Sequence, residues 1–195
     1  MDHCDLEIDN DTQLKSLQAL IESNMVLNIR SVNITGNQNR DVIEQISVCT
    51  GNVKQLEIRY SYNCMDWLTA ETLVRWKLKE IELLRLETRT PFVSLIVQTC
   101  SELTSIKLDS DTVDDSAVIV IVQHCPKLEK LILSSHTITW LSILALSERG
   151  LPLKELDISF IPNIPTADIA RRCSHALSCI RHLDTYYLYR NDQYA

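Results

Sequence analysis

Glycine and proline are scarce in this sequence, with 3 and 5 residues among 195. The loops that cradle phosphate groups and the nucleophile elbows of hydrolases need closely spaced glycines, and the sequence has no such loop or elbow. The same scarcity excludes a collagen-like chain. With 45% hydrophobic and 23% charged residues, the chain also has enough apolar material to form a full core, which excludes a disordered class.

Positive charge is in deficit. Lys and Arg number 19 against 26 Asp and Glu, which gives a net charge of -7 and an isoelectric point of about 5.2. Proteins that bind nucleic acids or anionic membranes gain most of their affinity from an excess of positive charge. We therefore expect neither nucleic acid nor membrane as a partner.

Long hydrophobic runs are missing as well. The longest unbroken apolar run covers residues 117–122, whereas a membrane span needs about 20 residues. The N-terminus is acidic and polar, where a secretory signal would be basic and then apolar. These features predict an intracellular protein of the cytoplasm or the nucleus.

The seven cysteines are odd in number and have no paired spacing, which favours free and mostly buried thiols over a disulfide framework. The one dense cluster of Cys and His comprises Cys173, His175, Cys179 and His182. It lacks the close pair of ligands that zinc sites usually have. We therefore expect structural thiols and surface histidines, with zinc as the less favoured interpretation, and we expect no cofactor.

A repeated apolar pattern organises the chain. The template L-x-x-L-x-L recurs seven times, in steps of 24, 25, 25, 25, 25 and 27 residues. Its first positions are Ile29, Val53, Leu78, Leu103, Leu128, Leu153 and Ile180. Twenty of the 21 template positions are aliphatic, whereas about nine or ten are expected by chance at 45% hydrophobic composition. The template therefore marks a true structural repeat, in which each copy contains a short strand.

The segments between the predicted strands are typical of short helices. They cover residues 41–48, 67–75, 91–99, 115–124, 139–147 and 165–172. Thr90 before Pro91, and Asp114 with Asp115 before the apolar run, are helix-start signals. Residues 117–122 prefer strand by intrinsic propensity, and only their place in the repeat predicts a helix there.

One strand and one helix every 25 residues cannot bury their apolar faces alone, so neighbouring repeats must stack. The prediction is a right-handed α/β solenoid of about seven parallel strands over residues 25–185. Residues 1–24 have leucines at helical spacing and are predicted to form a helical N-terminal cap. Residues 186–195 are predicted to form a C-terminal cap or tail.

Two segments carry a resemblance to a known family. Residues 100–108 read C-S-E-L-T-S-I-K-L and residues 125–133 read C-P-K-L-E-K-L-I-L, with Val113, Asp114 and Asp115 between them. This pattern resembles the cysteine-containing leucine-rich repeats of F-box substrate receptors and of the antagonist of mitotic exit network family. The resemblance implies a horseshoe with strands on the concave face and helices on the convex face. It also implies substrate recognition or an adaptor role for a ubiquitin ligase, although the cap is too short for an F-box.

The sequence also departs from that family at the repeat position of the cysteine. Trp76 and Gly150 stand near it in two repeats, and Cys49 is shifted by one residue. These departures do not disturb the apolar template on which the fold prediction rests.

The residues between the template positions are predicted to form the concave surface, because alternate residues of a strand point to opposite sides of a sheet. We call this surface the polar sheet face. Of its 21 positions, three are apolar, seven acidic and three basic. The predicted partner-binding residues are Glu57, Arg59, Glu80, Glu82, Leu84, Lys107, Asp109, Lys130, Ile132, Glu155 and Asp157. Leu84 and Ile132 are the predicted apolar anchors within a polar surround. The alternative is a merely solvated surface, which is the common state of charged residues.

The loop after the second repeat strand is a second candidate surface. Tyr60, Tyr62 and Trp67 lie there, and tyrosine and tryptophan are enriched at interface hot spots. The competing interpretation is that Trp67 packs in the core and the tyrosines cover neighbouring repeats.

Catalysis is not expected. Cys125 beside His124 lacks the geometry of a nucleophile with its base, because adjacent residues do not point at each other. Acidic pairs such as Glu155 and Asp157 lie on an open surface without a water-excluding pocket. The sequence thus favours a non-catalytic module that docks a protein with a basic or polar surface, acting as a monomer or within a hetero-complex. The alternative is a structural subunit of a larger assembly, similar to coupling factor B in size and repeat type.

Overall fold

Strands and helices alternate along the chain. The computed structural model describes residues 4–8, 19, 29–36, 40–50, 52–60, 68–86, 90–159, 171–174, 178 and 180–184. The strands within these ranges are β1 (Cys4–Ile8), β2 (Ile29–Thr35), β3 (Gln55–Arg59), β4 (Glu80–Leu84), β5 (Ser105–Asp109), β6 (Lys130–Ser134), β7 (Glu155–Ser159) and β8 (Ile180–Asp184). The helices are α1 (Arg40–Cys49), α2 (Ala70–Arg75), α3 (Thr90–Thr99), α4 (Asp115–His124) and α5 (Trp140–Arg149).

All described strands join one parallel sheet, and their order in the sheet is their order in the chain. The register follows the repeat, since Ile81 pairs with Ile106 and Ile106 pairs with Leu131. An α/β fold with parallel strands that alternate with helices is therefore confirmed.

The template residues form the core. All eighteen template side chains of the first six repeats are at most 7% exposed. Helix residues such as Phe92, Ile96 and Ile121 belong to the same buried cluster. The helices therefore cover the template side of the sheet, and the residues between the template positions lie on the other side, as predicted.

Helix α4 contains the run of residues 117–122 whose propensity favours a strand. Its buried residues Ala117, Val118, Ile121 and Val122 recur at helical spacing and pack into the core. Asp114 caps the helix by accepting a hydrogen bond from the Ala117 backbone N–H at 3.1 Å. Burial and capping outweigh propensity here, and the prediction of a helix is confirmed.

The other helices agree with the predicted segments to within a few residues at each end. The helix expected over 67–75 begins later, at Ala70, because the Thr69 hydroxyl caps it by accepting from the Thr72 backbone N–H at 3.3 Å. Helix α3 begins at Thr90, one residue before the predicted segment 91–99. Of the segment 165–172, residues 165–170 lie outside the described ranges.

The first strand corrects the prediction for the N-terminus. Residues 4–8 form β1 and not a helix, and Leu6 and Ile8 pair with Val32 and Ile34 of β2. The described part of the sheet therefore has eight strands, where the template predicts about seven. Ala19 has helical conformation, but the leucines of the predicted cap and all of residues 186–195 lie outside the described ranges.

The repeat cysteines are buried thiols. Cys100 is 4% exposed and Cys125 is fully buried, and both are free, as is Cys173. Burial raises the pKa of Cys100 to about 11, although a backbone hydrogen bond to Leu78 opposes the rise. Burial also raises the pKa of Cys125 to about 12, with a contribution from Cys100. The predicted free and buried thiols are confirmed for these three residues.

Other residues fill the equivalent position in the earlier repeats. Thr50 precedes Val53 by three residues, as Cys100 precedes Leu103, and Trp76 lies one residue from that spacing in its repeat. The fully buried Trp76 donates from Nε1 to the Thr50 hydroxyl at 3.0 Å, and that hydroxyl donates to the Ile46 carbonyl at 2.6 Å. The indole N–H is therefore satisfied in the core.

The described residues contain neither a metal site nor a membrane span. No group of three His, Cys, Asp or Glu side chains converges there in a way that could hold a metal ion. In the predicted Cys/His cluster, Cys173 is buried, His175 and Cys179 lie outside the described ranges, and His182 belongs to β8 as predicted. No helix of those ranges is long and apolar enough to cross a bilayer.

Candidate functional site

The polar sheet face runs without interruption from β1 to β7 in the described residues. The register places the middle residues of the strands side by side, so that Glu57 lies next to Glu82, and Ile132 lies between Lys107 and Asp157. Most side chains on this surface are partly exposed, and Glu57 is the most buried of the charged ones, at 9%. The regular register brings all eleven predicted partner-binding residues onto one surface.

Ion pairs neutralise part of this surface. Lys107 contacts Glu82 on the neighbouring strand at 3.3 Å, and Lys130 contacts Glu155 at 2.9 Å. Arg59 donates to the Glu57 carboxylate on its own strand. This hydrogen bond and the charge of Glu57 raise the pKa of Arg59. All three basic residues of the described polar sheet face are thus engaged by acidic ones.

Five acidic residues of the polar sheet face have no basic partner among the described residues. These are Asp5, Glu7, Glu80, Asp109 and Asp157. Because every described base on the surface is already paired, the surface keeps a net negative charge after its internal pairs are counted. This uncompensated charge is the feature that a basic partner would recognise.

Two of these acidic residues were missed by the template. Asp5 and Glu7 alternate with Leu6 and Ile8 along β1, and all but Ile8 are at least partly exposed. The template does not find this strand because His3 stands where its first apolar residue belongs. The alternation of polar and apolar residues was the available signal, and Leu6 stands 26 residues before Val32, close to the repeat length.

The two predicted apolar anchors are not brought together. Leu84 lies on β4 beside Asp109, whereas Ile132 lies on β6 beside Lys107 and Asp157. Both side chains are half-buried. They are separate apolar points within a polar surface, and they do not form one hydrophobic patch.

Asp157 has an unusual environment. Its Oδ1 atom is buried and has no hydrogen-bond partner among the described residues. Its neighbours in the register are the apolar Ile132 on β6 and His182 on β8. A buried carboxylate oxygen without a donor costs free energy of folding, so the Asp157 side chain lowers the stability of the fold.

An open hollow lies on the polar sheet face where it is formed by the first three strands, β1 to β3. It is lined by Glu7, Asn33, Thr35, Glu57 and Arg59, together with Ile34. Polar groups dominate this hollow and it opens to solvent. It is therefore too open to enclose a small molecule.

The aromatic loop is represented by Tyr60 alone, because Tyr62 and Trp67 lie outside the described residues. Tyr60 is 48% exposed, and its backbone has a φ of 54°, in the left-handed region. Its N–H donates to the Leu84 carbonyl at 3.1 Å, and the Arg85 guanidinium lies 5.5 Å from the centre of its ring. Tyr60 is thus an exposed aromatic residue directly after the C-terminal end of β3, where a hydrogen bond and a cation–π contact hold it in place.

No family model and no curated protein matches this sequence. A fold by itself does not specify a function, whereas the charge and shape of a surface limit what it can bind.

A cysteine thiol and paired carboxylates are groups that enzymes use as nucleophiles and as acids or bases. The Cys125 thiol is buried, and its raised pKa keeps it protonated at neutral pH, which makes it a poor nucleophile. Glu82 and Glu155 are committed to ion pairs with lysines on the neighbouring strands.

Proposed function

We propose that this protein is a non-catalytic protein-interaction module of the leucine-rich repeat type, which docks a basic or polar protein on its polar sheet face. The observation that carries this proposal is the set of five acidic residues without a described basic partner, on a surface whose described bases are all engaged. A merely solvated surface has no need of such an excess, whereas a docking surface gains both specificity and association rate from it.

The repeat type is supported by the order of the strands and by the buried positions. The sheet adds each new strand beside the previous one, as stacking of repeats requires. Cys100 and Cys125 occupy the same buried position one repeat apart, and Thr50 fills it in an earlier repeat. In this type of solenoid the polar sheet face is the concave side, which suits it to wrap around a partner.

A role as substrate receptor or adaptor for a ubiquitin ligase rests on the resemblance of residues 100–108 and 125–133 to that family. Under this interpretation the polar sheet face holds the substrate and another segment or chain contacts the ligase.

The test reverses charges that have no described partner, because reversing a paired one would also disturb its neighbour. Glu80 and Asp109 are of this kind and are partly exposed, so Glu80→Lys/Asp109→Lys changes the surface with little effect on folding. We expect the wild type to retain a discrete protein in a pull-down analysed by mass spectrometry, and the double variant to lose it. Binding of the purified partner should weaken at least about tenfold, and added salt should weaken binding to the wild type.

The matched control places the same charge change on the helices. Glu71 and Glu148 are exposed on α2 and α5, and Glu71→Lys/Glu148→Lys alters the net charge equally. Glu148 contacts Arg172, but this ion pair is exposed and contributes little to stability. Circular dichroism establishes that all three proteins are folded. A partner that is lost from both variants, or retained by both, would contradict docking on the polar sheet face.

A further inference from the structure

A row of basic residues crosses the sheet at the starts of its early strands. Arg30, Lys54 and Lys79 occupy equivalent positions in three consecutive repeats, and Lys77 lies in the turn just before β4. We call these four residues the basic stripe. It stands out because the protein as a whole has a net charge of -7.

Backbone contacts hold the basic stripe in place. The Lys54 N–H donates to the Arg30 carbonyl at 2.8 Å, and the Lys79 N–H donates to the Lys54 carbonyl at 2.8 Å. Neighbouring strands of a sheet lie about 4.8 Å apart, so these three residues form a compact row. Arg30, Lys77 and Lys79 are exposed, and Lys54 is partly exposed.

The basic stripe differs from the equivalent lysines of the later repeats in its ion pairing. Lys127 contacts Glu102 at 2.6 Å, and Lys154 contacts Glu129 at 2.7 Å. No residue of the basic stripe forms an ion pair with a described residue. Glu102 is already paired with Lys127. The hydrogen bond from Lys127 is the largest cause of the lowered pKa of Glu102, and the charge of Lys79 is the smallest.

We propose that the basic stripe is a second docking surface, which binds an acidic peptide segment in extended conformation. Alternate residues of such a peptide lie about 7 Å apart on one side, within reach of the long Lys and Arg side chains. The surface is distinct from the polar sheet face and has the opposite charge, so peptide binding there does not depend on the proposed function.

A peptide fits the observations better than a nucleic acid or a membrane. Four cations are a small patch, and Glu80, which has no described basic partner, follows Lys79 directly in the chain. A polyanion with a dense row of phosphates would meet the net negative charge of the protein around this patch. A segment with a few spaced carboxylates meets the cations and avoids the acidic residues.

The experiment measures fluorescence anisotropy of a short labelled peptide in which Glu and Ser alternate, titrated with the full chain. We expect saturable binding that weakens with added salt. Arg30→Gln/Lys54→Gln/Lys79→Gln should weaken it about tenfold, since three charge contacts with the peptide are removed. The control Arg85→Gln/Arg149→Gln/Lys154→Gln removes as many exposed positive charges from outside the basic stripe and should change the dissociation constant by less than about twofold.

Two further measurements distinguish peptide binding at the basic stripe from binding elsewhere on the protein and from binding of other polyanions. The variant Glu80→Lys/Asp109→Lys should still bind the acidic peptide. The experiment therefore tests the basic stripe separately from docking on the polar sheet face. Binding of anionic phospholipid vesicles or of polyuridine more tightly than the acidic peptide would overturn the proposal. Equal binding of the peptide by the basic stripe variant and its control, or no saturable binding to the folded wild type, would also overturn it.

Discussion

At the scale of single residues, the described part of the polar sheet face contains one buried polar atom that lowers the stability of the fold. The buried Oδ1 of Asp157 has no hydrogen-bond partner in the described part of the chain, whereas the carboxylate of Glu155 on the same strand meets Lys130 at 2.9 Å. Residues that break a local rule of folding tend to mark functional positions. Asp157 is accordingly the residue of this surface at which stability and binding should trade against each other.

Replacing Asp157 by an apolar residue should stabilise the fold. We expect Asp157→Leu to raise the free energy of unfolding by about 1 kcal/mol or more, because the unsatisfied oxygen is removed beside the apolar Ile132. Chemical denaturation monitored by circular dichroism measures this change. Glu155→Leu, which breaks the ion pair with Lys130, should give no gain, and equal effects of the two substitutions would contradict the account of Asp157.

At the scale of elements, neighbouring helices are tied together at their N-termini. Asp115 at the start of α4 accepts hydrogen bonds from the Thr139 backbone N–H at 2.8 Å and from the Thr139 hydroxyl at 2.6 Å, and it also accepts one from the buried Ser142 hydroxyl. Thr139 is itself the cap of α5. One carboxylate thus sets the position of the next helix, which keeps the repeats in register.

Removing this carboxylate should destabilise the pair of helices. We expect Asp115→Ala to lower the free energy of unfolding by about 2–3 kcal/mol, because the backbone N–H and hydroxyl of Thr139 and the Ser142 hydroxyl lose their acceptor. The nearby Asp111, with a side chain 81% exposed, contacts His136 at 3.6 Å. Asp111→Ala is therefore the control, with an expected change below about 0.5 kcal/mol. Urea denaturation measures the free energy of unfolding of both variants. Similar losses in both variants would argue against the link between the helices.

At the scale of the whole molecule, one continuous core runs from Ile8 in β1 to Cys173 and encloses two ionisable thiols in its middle repeats. The thiols of Cys100 and Cys125 have folded pKa values of about 11 and about 12, against an ordinary value of 9.0. The folded chain therefore holds these protons at a pH where the unfolded chain has released them. The resulting contribution to stability is complete below pH 9 and is lost as the pH rises toward the folded values.

The loss should be measurable at alkaline pH. Between pH 9 and pH 11, the free energy of unfolding of the wild type should fall further than that of Cys100→Ala/Cys125→Ala. The extra loss should be on the order of 2 kcal/mol for each thiol. The double variant starts from lower stability because of the cavities, so the slopes with pH are compared and not the absolute values. Parallel slopes in urea denaturation would show that the thiols are not shielded in the folded state.

Much of the fold could be predicted because each repeat carries its own apolar signal. The prediction failed at residues 4–8, where His3 stands in place of the first apolar residue and the leucine spacing nearby favours a helical cap over a strand. It succeeded at 117–122, where the repeat outweighed a strong strand propensity. Periodicity over the whole chain was thus the stronger guide, and it was weakest at the end of the array, where repeats are atypical.

The sequence by itself determined the parallel strands, the buried template and the residues of the polar sheet face, because alternate residues of a strand must point to opposite sides of the sheet. Only the tertiary structure decided which of those charges are paired. Glu82 meets Lys107 and Lys130 meets Glu155, each 25 residues away in the chain, whereas Glu80 and Asp109 meet no base among the described residues. Those pairings depend on which side chains the sheet register brings within contact distance, and no local pattern in the sequence encodes that distance.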